Sequence, residues 1–184
     1  MSRDVQLYIA MSLDGYIATK DDNIDFLSQV EMENEDYGYA DFTQQIDTVI
    51  WGRRTYDKVM TFDGEFLHTG RKVYVISRSR TGETEHVTYH PDVIELVRQL
   101  KSEAGKNIYC DGGAEIIFEL LRHQLIDRII VSIIPHLLGD GIPLFKAGFS
   151  EQKITLKRSI TYPSGLVQLW YDVRKEDQPE AGEN

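Results

Sequence analysis

The sequence predicts an α/β fold: a mostly parallel central sheet with helices on both faces, closed by a C-terminal antiparallel hairpin. Three observations carry that expectation. Strand-like and helix-like patterns alternate, most strand segments are apolar throughout, and two late strand patterns flank Pro163-Ser164-Gly165. The 184 residues are 41% hydrophobic and 27% charged, a globular composition in which folding buries roughly 70% of the unfolded surface. We read residues 1–174 as one domain and the polar, acidic segment 175–184 (KEDQPEAGEN) as a tail without apolar anchors.

Each element has a local reason. Val5 to Met11 (VQLYIAM) is apolar enough for a strand buried on both faces, and Leu13-Asp14-Gly15-Tyr16 reads as the turn after it. Asn34 to Ile46 reads as a helix with Tyr39, Phe42 and Ile46 on one side, followed by a short β-branched strand from Thr48 to Trp51. Gly52 ends that strand, and Arg53 to Val59 begins a helix. Lys72 to Ser77 and His86 to Tyr89 read as strands. Pro91 suits a helix N1 position, ahead of Val93, Ile94, Val97 and Leu100 at helical spacing. Asn107 to Cys110 is a strand, Asp111-Gly112-Gly113 a turn, and Ala114 to Arg122 a helix. Asp127 to Ile134 is a strand stopped by Pro135, and Ile154 to Ile160 with Leu166 to Val173 forms the hairpin.

Charge narrows the function. The net charge of −10 argues against nucleic acid, which calls for a basic face. From Asp21 to Asp47 there are nine acids and no Lys, Arg or His, whereas Arg53 to Arg80 holds seven bases against three acids. If both segments border one cleft, an anion favours the second and avoids the first. A single cysteine, Cys110, excludes an internal disulfide framework and reads as a small core residue. No apolar run approaches the roughly 20 residues of a membrane span, so we expect a cytoplasmic protein without a membrane partner. The five histidines lack a metal-ligand spacing, and no metal is expected. Gly139-Asp140-Gly141 precedes Ile142-Pro143 rather than a helix and reads as structural.

Three strand ends carry candidate chemistry. In Thr48 to Tyr56 (TVIWGRRTY), Gly52 lets a ligand approach the backbone, while Arg53, Arg54 and Thr55 sit where free helix N–H groups attract phosphate. The competing reading is a solvated first turn. In Tyr109 to Glu115 (YCDGGAE), Gly112 and Gly113 permit close approach to a diphosphate, although the G-x-G-x-x-G spacing is absent and a tight connection explains the pair equally. In Val75 to Arg80 (VISRSR), Ser77 and Arg78 could meet a phosphate at the strand's carboxyl end, or simply begin a polar loop. In a parallel sheet the three ends point to one edge, so a polyanionic nucleotide is the economical common explanation.

These segments, in this order, resemble the dihydrofolate reductase-like superfamily. TVIWGRRTY looks like the G-R-x-T segment of dihydrofolate reductases, and Ile9 to Ala18 (IAMSLDGYIA) resembles their first strand and following loop. VYVISRS and IYCDGGAEIIFELL match the third strand and the Gly-Gly turn. Pro135 to Phe145 (PHLLGDGIPLF), together with SLDGYIA, is more similar to the riboflavin-biosynthesis reductase domains. The resemblance covers residues 4–174 and implies the dihydrofolate reductase-like fold. It also implies NADPH as cofactor, hydride transfer to a pterin- or pyrimidine-like small molecule, and a homodimer.

Carried over by motif position, Ala10 and Ile17 would border the nicotinamide, under a mobile loop at Ser12 to Gly15. Gly52, Arg53, Arg54 and Thr55 would bind the cofactor phosphates. Ser77 and Arg78 would lie near the adenosine 2′-phosphate, and Gly112, Gly113 and Ala114 near the diphosphate and nicotinamide ribose. Folate reductases place a buried carboxylate in the helix before the G-R-x-T strand. Counting back from Gly52 puts Asp36 there as the catalytic candidate, whereas alignment on Phe42 puts Gly38 there, and Asp25 and Asp41 compete. The arginine that folate reductases use for the substrate's glutamate tail has no counterpart in the acidic segment. The lysine usual in the first strand of riboflavin-pathway enzymes is replaced by Tyr8. A non-catalytic NADPH- or nucleotide-binding module is the alternative reading.

Overall fold

A computed structural model describes residues 3–62 and 66–173, so the 175–184 segment lies outside the described residues. The chain runs β1 (Val5–Ser12), β2 (Tyr16–Ala18), a 3-10 helix (Asp25–Val30), α1 (Tyr39–Gln44), β3 (Ile46–Gly52), α2 (Arg53–Val59), β4 (Lys72–Ile76) and β5 (Thr88–His90). It continues through α3 (Val93–Ser102), β6 (Asn107–Cys110), α4 (Ala114–Arg122), β7 (Arg128–Ile134), β8 (Ile142–Pro143), β9 (Ile154–Thr161) and β10 (Val167–Val173). Eight strands form one sheet in the order β5-β4-β3-β6-β1-β7-β10-β9. The first six are parallel, and β10 and β9 close that end of the sheet antiparallel. The remaining strands, β2 and β8, pair as a small antiparallel ribbon.

Alternation along the strands sorts the core into two faces. Leu7, Ile50, Ile108 and Cys110 face α3 and α4, meeting Leu96, Leu100, Ile117 and Leu120 in one cluster. Val49, Trp51, Val73, Val75 and Tyr109 face the other way, toward Phe42 of α1 and the partly buried Tyr56 and Val59 of α2. The expected architecture, with helices on both faces, is the one observed.

The expected helix from Asn34 to Ile46 contracts to Tyr39–Gln44. Asn34, Tyr37 and Gly38 have φ of 62°, 58° and 83°, and left-handed residues cannot propagate a right-handed helix. Ile46 is therefore the first residue of β3 rather than the last of a helix. Pro91 also moves: Asp92 is the N-cap of α3, its carboxylate accepting the amides of Ile94 and Glu95, so the proline precedes the cap. The loop at residues 138–141 is structural. Asp14 accepts the amides of Leu138 and Gly139, tying the turn after β1 to it, and a Cβ on Gly141 would lie 2.3 Å from the Ala18 carbonyl.

Candidate active site

The strands β4, β3 and β6 are adjacent and parallel, so the three segments singled out in the sequence meet at one edge. Ile50 lies opposite Cys110, which brings the turns after β3 and β6 level with one another. There the Gly52 amide donates to the Gly112 carbonyl at 2.7 Å. A Cβ on Gly113 would sit 2.7 Å from the Thr55 hydroxyl, and one on Gly52 3.1 Å from Ile116. Glycine at these positions is a packing requirement. The helices that start here, α2 and α4, have no side-chain cap on their first amides, whereas Asp92 occupies those of α3. Free N–H groups at such helix starts are complementary to phosphate oxygens. Ala114 is the first residue of α4, buried behind this turn.

The arginines differ in what holds them. Arg53 pairs with Asp57 at 3.0 Å, and Arg80 donates to both oxygens of the same carboxylate at 2.6 and 3.2 Å. Arg80 also lies over the Tyr89 ring, 6.0 Å from its centroid. Arg54 reaches away to Asp22 and is largely exposed. Ser77 is buried, and its hydroxyl accepts the amides of Ser79 and Arg80, so it shapes the loop that carries the exposed Arg78. In the sequence Arg80 closes the VISRSR segment with no local feature that sets it apart from Arg78. Only the loop geometry, bent by Ser77, brings it to Asp57 on α2.

A cavity of about 370 Å³ opens near the carboxyl ends of β1 and β7, within the size range of small-molecule sites. Tyr8, Ala10, Ser132 and Ile134 line it from the sheet. Leu27, Val30, Glu31, Met32, Glu35, Asp36 and Tyr37 line it from the 3-10 helix and the following loop, and Tyr39 from the start of α1. Tyr8 is fixed by a buried network: its hydroxyl donates to the Tyr37 carbonyl at 2.8 Å and accepts Gln168 Nε2 at 3.1 Å. Gln168 also donates to the Ser132 hydroxyl, and its Oε1 accepts the Trp170 indole N–H. Burial pushes the Tyr8 phenol up to about 12, so it stays neutral. In the sequence Tyr8 is one more residue of an apolar strand. Its partner Gln168, 160 positions away, carried no local signal.

Asp36 lines this cavity but is exposed, and its two oxygens accept the amides of Ala40 and Gly38 at 2.9 Å each. Those backbone bonds hold its carboxyl below the usual range. Ala10 is in the cavity wall, whereas Ile17, on the β2 ribbon, packs partly buried against the α3–α4 cluster.

Beneath the glycine turn, Asp111 accepts the Tyr109 hydroxyl at 2.6 Å and the Trp51 indole N–H at 2.7 Å, with His68 Nε2 at 3.1 Å. This carboxylate locks the turn onto β3 and the segment carrying His68. The sequence shows Asp111 and Tyr109 together within YCDGG, but not the two distant partners, Trp51 and His68. Cys110 beside it is buried, and burial pushes its thiol up to about 12. Among the described residues no group of three or more His, Cys, Asp or Glu is placed to hold a metal ion, and no helix is long and apolar enough to cross a membrane.

A parallel sheet with paired glycine turns at one edge, a cavity beside them and a closing antiparallel hairpin is the dihydrofolate reductase-like class of fold. Within it, the chain belongs to the RibD C-terminal domain family, whose profile matches residues 3–168. It is 41% identical over 173 residues to "Uncharacterized protein YwjB" of Bacillus subtilis strain 168, covering 93% of this chain and 98% of that protein. Among solved structures it resembles a putative riboflavin biosynthesis protein from Shewanella sp. PV-4, with a TM-score of 0.85 and 29% identity over 95% of this chain and all (100%) of that one. It also resembles a diaminohydroxyphosphoribosylaminopyrimidine deaminase/5-amino-6-(5-phosphoribosylamino)uracil reductase from Thermotoga maritima. That match has a TM-score of 0.70 and 16% identity, covers 94% of this chain and 57% of the other, and speaks to fold alone.

Proposed function

We propose that this protein is an NADPH-dependent oxidoreductase acting on a pterin- or pyrimidine-like small molecule. The observation that carries the reading is the hydrogen bond from Gly52 to Gly112. It holds two uncapped helix starts together beside Arg53 and Arg80, at the sheet edge that also bears the aromatic cavity. The residues present fit the cofactor: uncapped amides at the starts of α2 and α4 and nearby guanidinium groups suit a diphosphate and a 2′-phosphate. Gly52, Arg54, Thr55, Gly112, Gly113 and Ala114 would hold the diphosphate region, and Ser77 and Arg78, joined by Arg53 and Arg80, the 2′-phosphate. Ala10 and Ile17 would flank the nicotinamide. When bound, NADPH supplies the hydride.

The chain's own part is to stack and orient the substrate ring against Tyr8 and Ala10 and to exclude water from that wall. Asp36, ionised and occupied with two amides, orients the loop. The proton then enters from water at the open rim. The test is NADPH oxidation across pterins, dihydrofolates and aminopyrimidine ribosides. Turnover with at least one class is expected, and cofactor binding without turnover throughout would refute the enzyme. The occupied state of Asp36 favours one other reading, a non-catalytic NADPH-binding module, and the same panel separates the two. A cytoplasmic homodimer completes the proposal, and light scattering showing a monomer at micromolar concentration would remove the dimer.

A further inference from the structure

The cavity wall has one sign of charge. Glu31, Glu35 and Asp36 line it, and among its described lining residues there is no Lys, Arg or His. Two arginines stand outside this lining, and the charge of one of them, Arg71, is still felt at Tyr39. Arg158 lies over the Trp170 ring at 5.8 Å, and Arg71 donates to the Thr43 carbonyl at 3.1 Å. His136 faces Gln29 at 3.0 Å, outside the cavity lining. The rest of the wall is aromatic or apolar, with Tyr8, Tyr37 and Tyr39 presenting rings and Ser132 a hydroxyl. The field of Glu35 and Asp36 is felt at the floor, where both raise the Tyr8 phenol after burial itself.

A phosphate or carboxylate entering this wall would meet like charge, with no cation among the described lining residues to pair with it. A protonated amine would meet opposite charge and the faces of tyrosine rings. We infer that the cavity takes a planar heterocycle bearing no phosphate or carboxylate, and prefers one carrying a protonated amine. This rests on the reading that the cavity is the substrate site. It separates this chain's substrate from phosphorylated aminopyrimidines and from folates with an anionic tail.

Three probes with one ring test it: 6-aminomethylpterin, pterin and pterin-6-carboxylate, titrated by pterin fluorescence against the protein with NADPH present. The aminomethyl form should bind tightest and the carboxylate about tenfold or more weaker than pterin, the size of one screened like-charge contact. The spread should narrow in high salt. It should also narrow in Glu35→Gln, in which the glutamine oxygen can still accept the Tyr37 amide that Glu35 holds at 2.8 Å. Asp36→Asn should narrow it similarly. A carboxylate form that binds as tightly as the aminomethyl form overturns the inference, as does binding of none of the three. NADPH oxidation is followed in parallel with 5-amino-6-ribosylaminouracil and its 5′-phosphate, whose ribosyl group can still accept a hydride. Oxidation driven better by the phosphate upholds the reductase and overturns the inference. The charge ranking without any oxidation upholds the inference and refutes the reductase.

Discussion

Arg80 grips both oxygens of Asp57, at 2.6 and 3.2 Å, across the gap between the loop after β4 and helix α2. Arg53 holds the same carboxylate from the first turn of α2, at 3.0 Å. Two cations thus share one anion, with the exposed Arg78 two residues from Arg80, where a 2′-phosphate is proposed. Arg53→Ala, Arg78→Ala or Arg80→Ala should weaken NADPH binding by about 10- to 100-fold with little effect on NADH, since a charge-assisted hydrogen bond contributes roughly 1.5–3 kcal/mol. Titration of both cofactors at low and high salt checks this. Equal losses for both would place these arginines on the shared diphosphate or the fold.

The Gly52–Gly112 contact makes a steric prediction. Gly113→Ala places a methyl 2.7 Å from the Thr55 hydroxyl, an overlap that should cost about 1–3 kcal/mol of stability and misplace the turn. Thr55→Ala removes the clashing oxygen. The double variant should therefore recover part of the lost stability, measured by urea denaturation. Strict additivity would mean the two residues do not meet.

For Asp36 the expectation is small. Asn keeps one side-chain oxygen for the loop amides, and the native carboxyl is already held ionised by the Ala40 and Gly38 amides. Asp36→Asn should leave turnover within about threefold, whereas loss of general acid catalysis typically costs about 10²–10⁴. Steady-state kinetics with the best substrate of the panel decides. A hundredfold loss would restore Asp36 as the proton donor.

Asp47 links stability to pH. Burial pulls its carboxyl up, but the Lys106 amide, the Thr48 hydroxyl and the buried Arg3 together hold it below the usual range. A folded-state value below the unfolded one contributes stability above the unfolded value, and that stability is lost as pH falls through the folded one. Asp47→Asn should cost about 1–2 kcal/mol near neutral pH, allowing for its partial exposure. The gap to the parent should close as pH drops below the ordinary aspartate range. Denaturation midpoints across that range test it.

Cys110 should be inert. With the thiol buried and pushed up to about 12, almost no thiolate exists at neutral pH. A colorimetric disulfide reagent should label it only as fast as the protein unfolds. Rapid labelling of the native state would show that the end of β6 opens.

Patterns within a few residues were legible in the sequence alone. Apolar strands, glycine turns and amphipathic helices placed α4 at its observed bounds, Ala114–Arg122, and put Gly52, Ser77 and Gly112 at strand ends. The parallel order followed from alternation, and with it their shared edge. The sequence also determined that residues 21–47 lack a cation, which no folding can change. Tertiary structure decided the rest. Gly38, in the left-handed region at φ 83°, shortened the expected helix, because a backbone choice outweighed apolar spacing. Asp111 gained Trp51 and His68 as partners, and Gln168 joined Tyr8 and Ser132. Arg80 rather than Arg78 met Asp57. Each of these is a polar contact across large sequence separation. Its partner is chosen by which strands lie side by side and by the need to satisfy a desolvated group, and a linear pattern records neither.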